Sequence, residues 1–155
     1  MKTAMVILAA LGMAIPAATL TGDKAQMIAA ADLQAQLAQL VPAAKTKGSS
    51  GSTMLTTGNL ALKLSVRTTS GGGEIHANYD DLMIVEQGSA TLITGGTVVS
   101  PQTGSDGETH GPSIADGLSR TITVGDIVVV PAGVPHQLLI PPGTIYSAMV
   151  AKIKE

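Results

Sequence analysis

The stretch Gly125–His136, GDIVVVPAGVPH, constrains the fold of this chain more than any other. Ile127 to Val130 is a short β-branched run that fits a pleated sheet. Pro131 and Gly133 then supply the fixed and the permissive φ of a tight turn. His136 opens the next strand, so the local chemistry delivers a histidine to one fixed place at a strand start. Leu60, Leu62, Leu64 and Val66 alternate with Ala61, Lys63 and Ser65, a half-buried strand. Leu82–Val85, Ala90–Thr94, Thr97–Ser100, Ser119–Val124 and Thr144–Ile153 read as further strands, with glycines or prolines at the turns between them. Pro101–Leu118 reads as a long polar loop, and such loops in compact domains are more often functional or mobile than idle.

Composition agrees with one all-β domain. A chain of 155 residues with 18 Gly, 8 Pro and 13% charged residues suits many short strands joined by turns. There is no Phe or Trp, so the core must come from Val, Ile, Leu and Met, and no aromatic platform exists for stacking bases. With a formal net charge of −2 and scattered Lys and Arg, nucleic acid is excluded as a partner. No cysteine is present, hence no disulfide and no site for lipid attachment.

Lys2, the apolar run Ala4–Ile15 and the small residues Pro16-Ala17-Ala18 read as a signal peptide over residues 1–18. They predict a periplasmic or secreted protein with no membrane contact after signal removal. Leu33, Leu37, Leu40 and Val41 share one helical face, with Pro42 expected to end the helix. Lys45–Thr53, KTKGSSGST, reads as a Gly/Ser linker. The expected division is therefore a signal over 1–18, a helix with linker over 19–53, and a barrel domain over 54–155.

The spacing G-x5-P-x-G-x2-H of Gly125, Pro131, Gly133 and His136 resembles the second conserved motif of the cupin superfamily. Upstream, HANYDDLMIVEQG from His76 to Gly88 resembles the first cupin motif, with departures. His76 stands at the first histidine, Asn78 replaces the second, and Asp81 lies at the glutamate position, seven residues before Gly88. The loop between Asn78 and Asp81 is one residue shorter than the family pattern. The resemblance implies a small cupin or jelly-roll β-barrel, and around its motif residues a metal site of His76, Asn78, Asp81 and His136. Asp80 competes with Asp81 for the inward position. If residues 74–78 are extended, Glu74, His76 and Asn78 share one face, turned into the barrel. Two imidazoles and a carboxylate suit a divalent Fe, Mn, Ni or Zn ion, among which sequence does not choose. Glu74 and Tyr79 are the candidates for acid/base work or substrate contact. His110 is expected to be exposed.

Cupins similar to this chain include enzymes and plain binding modules, so the fold leaves the reaction open. Three readings follow: a metal-dependent protein acting on or binding a small oxygen-rich molecule, a metal-free module for a sugar or organic acid, and a structural scaffold. A homodimer is expected, on the premise that the C-terminal strand is a sheet edge, against which Lys152 and Lys154 argue as edge-blunting charges.

Overall fold

The computed structural model describes residues 18–19 and 25–155. All of the expected signal segment except Ala18 lies outside them. Among the described residues, no helix is long and apolar enough to cross a membrane.

One helix, α1 (Ala30–Lys47), precedes the main run of strands. The strands are β1 (Ala18–Thr19), β2 (Ser49–Thr56), β3 (Leu60–Arg67), β4 (Gly73–His76), β5 (Tyr79–Gln87), β6 (Ser89–Thr94) and β7 (Thr97–Val98). They continue through β8 (Gln102–Thr103), β9 (Glu108–Gly111), β10 (Ile114–Ala115), β11 (Leu118–Thr123), β12 (Ile127–Val130), β13 (His136–Leu139) and β14 (Tyr146–Lys154). Two six-stranded sheets face each other, one ordered β1-β2-β3-β14-β5-β12 and the other β11-β6-β13-β4-β9-β8, with a small β10-β7 pair alongside.

The barrel interior is closed by Met83, Val85, Leu92, Ile122, Val130, Ile140 and Tyr146, all buried. A second core lies on the outer face of the first sheet, where Leu37 and Ala44 of α1 cover Met54, Leu55, Leu64 and Val66. Each fully buried aliphatic side chain there contributes about 1.5–3 kcal/mol. The alternating leucines of β3 therefore pack under the helix, and the residues between them, Lys63, Ser65 and Arg67, line the inner side.

The helix and linker expectations need correcting. Pro42 lies inside α1, which runs on to Lys47. Buried side chains on both sides of the proline, Leu37 and Ala44, hold the two halves against β2 and β3 and offset the lost backbone bond. The stop is Gly48, left-handed at φ 87°, whose N–H donates to the Ala44 carbonyl at 2.8 Å. Ser49–Thr53 belongs to β2, paired in register with β3, so it is a wall of the sheet rather than a linker. The Pro101–Leu118 loop likewise contains β8, β9 and β10.

The premise for dimerisation also fails. β14 sits between β3 and β5 in the middle of its sheet. The terminal positions are held instead by β1 and β12 in that sheet and by β11 and β8 in the other, and on β12 Ile127 and Val129 are 66% and 60% exposed.

Candidate metal centre

The two motifs meet because the turn after β12 is fastened to β4 and β5. Val134 N–H donates to the Pro131 carbonyl at 3.1 Å, with Gly133 at φ 77° inside the turn. Gly133 N–H donates to the His76 carbonyl at 2.8 Å, and Ala132 N–H to the Asp80 carboxylate at 2.8 Å. Asp80 is thus consumed by the turn. Asp81, one residue on and on the opposite face of β5, points inward and is 5% exposed. Gly88, left-handed at φ 72°, closes the β5–β6 hairpin where a Cβ would strike the Ile145 carbonyl.

His136 on β13 is directly opposite Glu74 on β4, and His76 on β4 is opposite Glu108 on β9. The second sheet therefore presents two imidazoles and two carboxylates on one face, and β5 brings Asp81 from the facing sheet. The imidazoles are 7% and 3% exposed, with ring centroids 5.0 Å apart. His136 Nδ1 donates to the Val134 carbonyl at 3.1 Å, and His76 Nδ1 donates to the Glu108 carboxylate. Each ring so turns Nε2 towards a carboxylate: His76 Nε2 lies 3.3 Å from Asp81 Oδ2, and His136 Nε2 lies 3.5 Å from Glu74 Oε1.

A neutral imidazole in either ring would set an unprotonated nitrogen against an anion. A single cation held between the rings and these carboxylates removes the conflict. The electrostatics of Glu74, His76 and Asp81 run the same way. Burial pushes the Glu74 carboxyl up, but the hydrogen bond and charge of His136, with His76 and Arg67 behind it, outweigh burial and leave it below the ordinary carboxylate value. Burial pushes His76 down, and the Asp81 and Glu108 carboxylates overcome that to hold it above an ordinary histidine. Asp81, pushed up by burial, ends lowered because His76 and Lys152 both hydrogen-bond its ionised form. Lys152 Nζ reaches Asp81 Oδ1 at 2.8 Å.

One ligand atom from each of Glu74, His76 and His136 lies within 4.8 Å of the others. Metal–nitrogen and metal–oxygen bonds of about 2.0–2.2 Å separate opposed ligands by roughly 4 Å, so modest closure seats a first-row ion. The donor set fits such an ion, and Asp81 lies beside it, 3.3 Å from His76 Nε2.

Asn78 does not fit and is corrected. The strand ends at His76, the chain bends over Ala77–Asn78, and the exposed Asn78 amide donates to the Asp106 carbonyl at 3.3 Å. Tyr79 is also outside the inner cavity. It lines a separate outer cleft of about 540 Å³ with Asn78, and Lys152 Nζ lies 5.7 Å from its ring centre. His110, in register with Glu74 on β9, is exposed as expected. Glu108 and Lys152 were missed as functional residues. The alternation of β14 placed Lys152 on the same face as Val150 and was a usable signal. Glu108 had none, because its place depends on β9 pairing with β4 across 32 residues.

The inner cavity holds about 310 Å³. Its walls are the donor cluster, the apolar Met83, Leu138 and Val150, and a polar side formed by β2 and β3 with Lys63, Ser65 and Arg67.

No family sequence model and no curated protein sequence matches the chain. Solved structures do. DMSP lyase DddQ from Ruegeria pomeroyi is 14% identical with a TM-score of 0.52, over 71% of this chain and 49% of that one. The chain thus spans about half the length of that protein. Oxalate oxidase in complex with glycolate is 16% identical, TM-score 0.51, over 69% of this chain and 51% of that one. The cupin domain of Cnp3 from Schizosaccharomyces pombe is 6% identical, TM-score 0.53, over 70% of this chain and 66% of that one. At these identities the likeness speaks for architecture, and it agrees with the motif spacing and with the two facing sheets: the chain has the cupin fold.

Proposed function

We propose that this protein binds a divalent metal ion inside its barrel and uses it to act on or bind a small oxygen-rich molecule outside the cytoplasm. The observation that carries the reading is the matched orientation of His76 and His136, whose Nδ1 atoms are both committed to acceptors while both Nε2 atoms face carboxylates. Hydrogen-bonded Nδ1 is how proteins fix the tautomer and basicity of metal-binding histidines. The ligand proximity of Glu74, His76 and His136 supports the same reading, as do structural neighbours that include a DMSP lyase and an oxalate oxidase.

In this reading Glu74, His76 and His136 hold the ion and Asp81 completes the set. When bound, the metal supplies Lewis acidity and open positions for an oxygen ligand. Lys152 keeps Asp81 ionised, Glu108 keeps His76 presenting Nε2, and Met83, Leu138 and Val150 restrict water on the apolar side of the cavity.

Elemental analysis of untagged protein after native purification tests the reading. The expected result is near one equivalent of a first-row metal, or its uptake on reconstitution. Less than about a tenth of an equivalent, unchanged after reconstitution, contradicts it and leaves the metal-free binding module. Export rests on Lys2 and the apolar run that follows. Mass analysis of the N-terminus from a periplasmic extract is expected to show cleavage near Ala18, and intact Met1 in the cytoplasm contradicts export.

A further inference from the structure

We infer that the cavity selects an organic anion, and that Arg67 is the group that receives its carboxylate. The inference rests on the metal-site reading for the role of the opposite wall, but not for the binding of the anion.

Arg67 ends β3, half-buried, with its side chain lining the inner cavity. Among the described residues its guanidinium makes no ion pair and no side-chain hydrogen bond. The nearby carboxylates are committed elsewhere. Glu74 faces His136, and Asp81 is held by Lys152 and His76. A planar fork of five donors left without a partner inside a cavity is suited to a planar, bidentate oxyanion.

The surroundings of Arg67 fit the same ligand. Ser49 is directly across on β2 and Ser65 is two residues back on the same face of β3, so hydroxyl groups flank the guanidinium. Gly51, across from Ser65, adds no side chain and keeps that wall open. Lys63, exposed and two residues beyond Ser65, adds positive charge at the mouth. The cavity, about 310 Å³, is at the small end of the usual range for small-molecule sites, roughly 300–1,000 Å³. A ligand there has one polar wall for its anionic end and the donor cluster for an oxygen function at the other. Because Glu74 and Asp81 share the cavity, a singly charged carboxylate is favoured over a phosphate dianion, which meets twice the repulsion.

Calorimetric titration of the full chain, both metal-loaded and metal-free, tests this. The probes are the monoanions lactate and propionate, their neutral counterparts lactamide and propionamide, and inorganic phosphate. At least one carboxylate is expected to bind about tenfold or more tighter than its amide. Arg67→Met should remove about tenfold or more of that affinity with metal stoichiometry unchanged, and Arg67→Lys, which keeps charge without the fork, should restore only part of it. Equal binding of acid and amide, no carboxylate binding in either form of the protein, tighter binding of phosphate, or an Arg67→Met variant with wild-type carboxylate affinity overturns the inference. Metal stoichiometry, read in the same samples, reports separately on the metal site, so either reading can fail without the other.

Discussion

The two ends of the barrel interior are built from the same strands and differ in nearly every physical respect. Along the inward face of β5 the chain passes from Asp81 to Met83 and Val85; along β14 from Lys152 to Val150 and Ala148; from His136 it passes along β13 to Leu138 and on to Ile140. At one end are close-packed aliphatic side chains around Tyr146, which is fully buried and whose hydroxyl is pushed up to about 12 by burial. At the other, within two or four residues on each strand, carboxylates and imidazoles satisfy one another in pairs. The first end supplies cohesion, and the second carries charges whose burial is sustained only by mutual pairing.

If that division is right, truncation separates the ends. Tyr146→Ala should cost about 3–5 kcal/mol in chemical denaturation, as large aromatic truncations in cores do. His136→Ala should cost the metal-free protein less while removing metal binding. Equal destabilisation by the two variants would break the division. Within the polar end, Glu108→Ala should weaken metal affinity about 10- to 100-fold in calorimetry, by freeing His76 Nδ1, with Glu108→Gln closer to wild type. Wild-type affinity in both would remove Glu108 from the site.

Asp80 and Asp81 offer a finer contrast between adjacent carboxylates. Asp80→Ala should cost about 1–3 kcal/mol of stability by stranding the Ala132 N–H, with metal affinity nearly unchanged. Asp81→Ala should weaken the metal more than Asp80→Ala does, and the reverse order would show that the inward carboxylate was misassigned. The smallest effect belongs to Tyr146→Phe. The Tyr146 hydroxyl has no hydrogen-bond partner among the described residues, so its removal should change stability by less than about 1 kcal/mol or raise it.

Acidity sharpens the comparison because only the polar end titrates in the accessible range. His76 is raised above 6.5, so the stability its protonated form contributes to metal-free protein is full below pH 6.5 and is lost as pH rises through the raised value. Glu74 and Asp81 are lowered from 4.5 and 3.8, so their contributions persist above those values and are lost as pH falls through the lowered ones. Melting with chelator present should therefore peak in mild acid. Metal affinity should run the other way, falling on acidification from a pH above 6.5, since metal and proton compete for Nε2. A metal-free protein whose stability rises steadily through neutrality would contradict the pairing of His76.

Much of the architecture was legible because it rests on local chemistry. Gly88, Gly125 and Gly133 all hold positive φ where the motif spacing required turns, and Ile127–Val130 and His136 fall where their neighbours placed them. What was illegible depended on distant pairing. Ser49–Thr53 has the composition of a linker, yet its backbone is satisfied by β3 and its small side chains make room at the cavity mouth. Lys152 suggested an exposed edge until β14 was found between β3 and β5. An inward Asn78 needs a straight strand, and the bend after His76 removes it.

His76 and His136 are posed to share one cation. The chain has three histidines, and the third, His110, is exposed and provides an internal control. Long-range ¹H–¹⁵N spectra of the imidazole nitrogens during titration with Zn²⁺ address each ring directly. Displacement of the Nε2 signals of His76 and His136 together, saturating at one equivalent with His110 unmoved, is the predicted result. Shifts confined to His110, or no change in the two buried rings, would contradict the account.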